Sequence, residues 1–162
     1  MINLDRIAAE ASQSILNCIG VSAKSRALQA KDLERLTTNA LGVLQEQGLY
    51  AFFLYLLSKS GEKDEEKELE IDEAASCVIM TRLLSLLNQP ELKHLSAAFA
   101  NGWDRKSAQI NNHKKELLQH VSGQIGGDLR RLLMVKTLFE KALIYTRYGA
   151  KAMTSSVVEG SS

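Results

Sequence analysis

From Leu49 to Leu57 the chain reads Leu-Tyr-Ala-Phe-Phe-Leu-Tyr-Leu-Leu, nine residues without a charge, opened by Gly48 and closed by Ser58 and Lys59. A bilayer crossing needs about 20 consecutive apolar residues, so this run is too short to span one. It is long enough for about two and a half turns of helix. A helix that is apolar on nearly every face has to be surrounded, by the rest of its own domain or by a neighbouring subunit.

The remaining sequence supplies that company in helical form. Proline occurs once, at Pro90. Clusters of β-branched residues are nearly absent, while Leu, Ala, Glu, Lys and Gln abound, a composition that favours helix by propensity. Asn3 can cap a first helix over 4–19, with Ile7, Ala11, Ile15 and Cys18 near helical spacing, and Gly20 stops it. A second helix begins near Ser25 and carries the stripe Leu28, Leu33, Leu36, Ala40, Leu41 and Leu44. Gly48 marks a break before the buried third helix, which ends near Ser60 and Gly61. A charged loop follows. Further helices are expected from about Asp72 to the Asn88-Gln-Pro90 stop, over 91–100, over 103–121, and over 129–153 with Asp128 as N-cap. The expected fold class is therefore all-α, a single compact bundle of about six to seven helices forming one domain over 1–153, with 154–162 a disordered tail.

Cys18 and Cys77 lack CxxC or metal-type spacing and sit in apolar helical surroundings, which predicts reduced core thiols in a cytoplasmic protein. The N-terminal residues show an amphipathic pattern and no apolar signal core, so neither signal peptide nor membrane anchor is expected.

Charge is segregated along the chain. The formal net charge of +1 combines nine acidic against three basic side chains over 60–91 with eleven basic against four acidic over 92–153. A surface of two signs can attract a polyanion on one side and a basic partner on the other. The simpler account of 62–73 is a solvated loop and helix start, and both accounts stay open.

The last helix carries the sharpest pattern. At about 100° per residue, Leu132, Val135, Leu138, Phe139, Ala142 and Leu143 occupy one arc roughly 140° wide. Arg130, Lys136, Lys141, Arg147 and Lys151 fall within a different arc of about the same width, interrupted by Glu140 and flanked by Tyr145 and Tyr148. Cations with adjacent aromatics, spread along some 30 Å of helix, suit a phosphate backbone with stacking options. An ordinary solvated face, with late cations complementing the helix dipole, would read the same way. Lys114 and Lys115, with Arg105 and Lys106, form a second basic group on the polar sixth helix.

Catalytic constellations are missing from the sequence. It contains no GxxxxGK[ST], GxGxxG, GxSxG or HExxH. His113, Glu116 and His120 can share a helix face at i, i+3 and i+7, but no second ligand pair accompanies them and His94 is isolated. Surface histidines are the expectation, with no metal and no cofactor. A binding or assembly module outweighs an enzyme, and a metal or hydrolase activity at His113, Glu116 and His120 is the minority alternative.

The apolar run also belongs to a longer pattern. Gln45, Gly48, Leu49, Leu56, Ser58 and Lys59 follow the form Gln-x-x-Gly-Leu-x-x-x-Leu-x-Phe-Leu-x-Ser-Lys, with Phe53 and Tyr55 standing at its second Leu and its Phe positions. The segment 139–151 follows a form Leu-x-x-Ala-Leu-x-x-x-Arg-x-x-Ala-Lys. On these residues the chain resembles the small-subunit family of the Cmr complex, the type III-B CRISPR RNA-targeting effector. The resemblance covers both ends of the chain and leaves 62–127 unmatched. It implies a non-catalytic subunit of an antiviral ribonucleoprotein. Partners would be copies of itself, the backbone and large Cmr subunits, and guide and target RNA, with no membrane. Head-to-tail stacking of that kind is open-ended unless other subunits cap it.

The resulting expectation is an RNA-complex assembly subunit. Arg130, Lys136, Lys141, Arg147 and Lys151 would contact the nucleic-acid backbone, and Lys114 and Lys115 are second choices. The alternative is a stand-alone helical adaptor or regulator that binds a protein or a small ligand.

Overall fold

A computed structural model describes residues 3–60, 70–99 and 110–160, the side chains of 110–112 and 155–160 excepted. The described chain is an all-α fold, as composition and periodicity predict. Six α-helices follow in order: α1 (Leu4–Leu16), α2 (Ala30–Gln47), α3 (Leu49–Lys59), α4 (Ile71–Leu87), α5 (Ile110–Gln119) and α6 (Leu129–Gly160). A 3₁₀ helix, Pro90–Leu95, follows α4, and α5 runs on into a π-helical stretch, His120–Ile125.

Helix α1 starts where the sequence predicts. The Asn3 side chain accepts a hydrogen bond from the Arg6 amide at 3.0 Å, and Ile7, Ala8, Ala11 and Ile15 form its buried face. The expected second helix from Ser25 is corrected: a tight antiparallel turn fills 20–28 and α2 begins at Ala30. The turn is closed by the Gly20 amide on the Leu28 carbonyl (2.7 Å) and the Leu28 amide on the Val21 carbonyl (2.8 Å). Asp32 sets where α2 starts. Its carboxylate, almost fully enclosed, accepts two bonds from the Arg26 guanidinium at 2.6 and 2.8 Å and one from the Gln29 amide at 2.9 Å. Arg26 is thereby drawn into a turn rather than the first turn of a helix.

Gly48 joins α2 to α3 at φ 93°, a left-handed conformation that costs glycine little and a side-chain-bearing residue more. Leu49, Phe52, Phe53, Leu56 and Leu57 of α3 are buried, and Phe52, Phe53 and Phe139 form an aromatic cluster with centroids 5.4–6.1 Å apart. The enclosure predicted for this helix is incomplete, because Tyr50 and Leu54 are exposed on its outer side. Helix α4 is buried over most of its circumference, and its Ser76 hydroxyl donates to the Leu56 carbonyl of α3 at 2.6 Å.

The helix expected over 91–100 is the shorter 3₁₀ helix. Ser96, at φ 50°, ends it, and Ala97 and Phe99 continue as buried irregular chain. Of the helix expected over 103–121, residues 103–109 lie outside the described residues, and from Ile110 the chain is helical. Asp128 caps α6 as predicted, accepting from the Arg130 amide at 2.9 Å. Val135, Leu138, Phe139, Ala142 and Leu143 are all buried, and Leu132 is half-buried. Helix α6 packs chiefly against α1 and α2. It continues to Gly160, so 154–160 is helical where a tail was predicted. No proline or glycine interrupts 154–159, and the Thr154 hydroxyl donates to the Ala150 carbonyl at 3.0 Å.

At the α1–α6 contact, a Cβ on Gly149 would stand 2.5 Å from Leu16 Cδ1. A side chain there would displace the tip of Leu16, and the packing of α1 along α6 places Asp5, in the first turn of α1, beside Lys141 and Tyr145 near the middle of the long helix. Among the described residues no helix is long and apolar enough to cross a membrane.

Candidate nucleic-acid interface

The five cations predicted on α6 lie off its buried stripe, but they do not form a row of equivalent charges. Arg130 is exposed in the first turn, beside the capping Asp128. Lys136 is half-buried and pairs with Glu140 one turn on, at 3.7 Å. Lys141 reaches across to α1, where its Nζ donates to Asp5 Oδ1 at 2.7 Å. Arg147 lies with its guanidinium carbon 6.0 Å from the Tyr148 ring centroid, and Lys151 is exposed. Glu140 and Asp5 thus temper the middle of the face, while Arg130 and Lys151 stand at its two ends.

The two tyrosines also differ. Tyr145 is half-buried and its hydroxyl donates to Asp5 Oδ1 at 3.1 Å, so its ring is tied to the α1–α6 contact. Tyr148 is 63% exposed and can offer a face for stacking. Hydrogen bonds from Lys141 and then Tyr145, with the Lys141 charge beside them, hold the Asp5 carboxyl below the usual carboxylate range. The same bond to Asp5 raises Lys141 above the usual lysine range.

Lys114 is half-buried and Lys115 exposed on α5. Helix α5 packs on α3 and on its own π-helical continuation, whereas α6 packs on α1 and α2, so the two basic groups sit on differently packed parts of the bundle. Arg105 and Lys106 lie outside the described residues.

His113, Glu116 and His120 do not assemble a metal centre. His113 is buried edge-on against Phe99 at 5.6 Å, and His120 Nε2 lies 2.9 Å from the Ala97 carbonyl. Among the described residues no three His, Cys, Asp or Glu side chains converge on a common point. Glu116 and His120, but not His113, border a shallow cavity of about 690 Å³ beside the π-helical stretch, lined also by Phe99, Gln119 and Gln124. Single π-helical turns recur at functional sites, which makes this the second place of interest on the surface. Cys18 is buried and Cys77 half-buried, and they form no disulfide.

Asp5 and Arg131 carry no signal in the sequence pattern of the basic face. Asp5 lies 136 positions from Lys141, and no local pattern links them. Glu140 was visible only as an interruption. Arg131 turns away from the basic face and donates to the Gln124 carbonyl, bracing the π-helical stretch against the start of α6.

Comparison with known proteins adds no relative: no family model, no curated protein and no solved structure matches this chain.

Proposed function

We propose that this protein is a non-catalytic assembly subunit that binds partner proteins and a nucleic-acid backbone, in the manner of the small subunit of a type III-B CRISPR effector. The observation that carries the reading is the outer side of α6, where Arg130, Arg147 and Lys151 accompany the exposed ring of Tyr148. Such a face neutralises phosphates and offers stacking without reading base edges. Sequence would be read by guide pairing, and this subunit would add affinity along the duplex. The resemblance of 45–59 and 139–151 to that family's motifs is what suggests this particular assembly, and the two segments meet in the core through Phe52, Phe53 and Phe139.

Titration of single-stranded and duplex RNA against salt tests the proposal. Affinity should fall steeply with ionic strength. The double replacement Lys141→Glu and Arg147→Glu should weaken binding at least tenfold for every sequence and lower the salt slope by about 1.5 on single strands. Equal binding by the charge-reversed protein would refute the role of these residues. Co-expression with a Cmr-type large subunit and backbone subunits, followed by pull-down, tests the partners.

A second reading rests on the cavity at Phe99, Gln119, His120 and Gln124, which would suit an adaptor holding a small polar ligand. Under that reading RNA affinity is absent at moderate salt, and replacing Gln119 or Gln124 changes ligand binding alone.

A further inference from the structure

We infer that Lys141 and Tyr145 form a phosphate-oxygen site that the chain's own Asp5 carboxylate occupies when no nucleic acid is bound. This deepens the proposed function and rests on it. Two donors from successive turns of α6 converge on one oxygen: Lys141 Nζ stands 2.7 Å and Tyr145 Oη 3.1 Å from Asp5 Oδ1. An ammonium and a phenol aimed at one anionic oxygen provide what a phosphodiester oxygen needs, a charge and a second hydrogen bond.

The acid comes from a separate helix. Asp5 lies in the first turn of α1, and α1 packs along α6 well beyond this pair, with Ile7, Ala8, Ala11 and Ile15 buried. Displacing the carboxylate therefore requires a side-chain rotation, not the parting of two helices. Its side chain is 66% exposed and that of Lys141 39%, so the pair is open to solvent and to an incoming phosphate. Exposed pairs of this kind are weak, and a polyanion presenting many phosphates can outcompete a single carboxylate. On the other flank Glu140 faces Lys136 rather than Lys141, so among the described residues Asp5 is the acid that competes for this position. The built-in competitor would lower affinity for stray short RNA and yield to a long, multiply held strand.

Removal of the competitor provides the test, using the full chain and a fluorescent oligouridylate at low salt. Asp5→Asn should tighten binding about two- to fivefold, the range expected when an exposed pair no longer competes. Glu10→Gln controls for general loss of negative charge, because Glu10 lies on the same helix but pairs with Arg6 at 3.3 Å. Its gain should be smaller. In a Lys141→Gln background the Asp5→Asn gain should vanish, the non-additivity that marks a direct pair. Thermal melting of each variant verifies that the fold is retained.

Two outcomes overturn the inference alone: binding that Asp5→Asn leaves unchanged, or a gain that persists without Lys141. Absence of binding by both the parent and Asp5→Asn, at the lowest salt, overturns the inference together with the RNA-binding function on which it rests.

Discussion

Asp32 and Asp5 are two carboxylates doing different work with the same chemistry. Each accepts hydrogen bonds from a basic side chain, and each is held below the usual carboxylate range by that partner. Asp32 is 3% exposed in its side chain and also takes the Gln29 amide, so it is a fixed part of the turn and helix start around it. Asp5 is 66% exposed and bridges the surface of two helices. Burial decides the difference. An enclosed carboxylate that loses its donors is stranded, whereas an exposed one falls back on water.

Stability measurements on Asp32 should show the largest effect. Asp32→Ala removes the acceptor of the Gln29 amide and of both bonds from the Arg26 guanidinium, which keeps only the Ala27 carbonyl, and charge-assisted hydrogen bonds each contribute on the order of 1.5–3 kcal/mol. Urea unfolding should therefore register a loss of about 2–3 kcal/mol. Arg26→Lys keeps the charge but loses the two-pronged geometry, and its midpoint should fall between the parent and Asp32→Ala. An unchanged midpoint for Asp32→Ala would show that the turn is held without it.

Acid titration sharpens the contrast. The folded-state pKa of Asp32 lies below its unfolded value of about 3.9, with Arg26 the main cause and burial opposing it. Its contribution is thus complete above the unfolded value and lost as pH falls through the folded one. The stability gap between the parent and Asp32→Asn should be widest near neutrality and close below about pH 4. Asp5 carries the same sign, but its profile should nearly overlay that of the parent because solvent screens the pair.

The two carboxylates also mark where the sequence ran out. Helices α3 and α6 were legible because apolar spacing and one capping residue, Asp128, are local information. The buried stripe of α6 fell on Val135, Leu138, Phe139, Ala142 and Leu143 as its periodicity requires. The start of α2 was missed by five residues, because Ser25 is a plausible cap and the pairing of Arg26 with Asp32 is a property of the folded turn. The helical continuation past Met153 was missed because polar residues near a terminus look like tail. On α6 the spacing gave the face but could not reveal which cations carry an internal partner. Lys136 has one a single turn away, while that of Lys141 comes from the other end of the chain.

The exposed pair should leave the smallest trace in stability and a distinct one in salt dependence. Asp5→Asn should melt within error of the parent at 0.5 M salt, where the Debye length is well under 10 Å. A slight destabilisation should emerge only at low ionic strength, where the Lys141 charge and the α1 dipole both favour an acid in the first turn. A loss that persists at high salt would place Asp5 with Asp32, as a structural acid, and would make its displacement by phosphate too costly to serve binding. A loss confined to low salt leaves the carboxylate where exchange requires it: held by charge and free to rotate away.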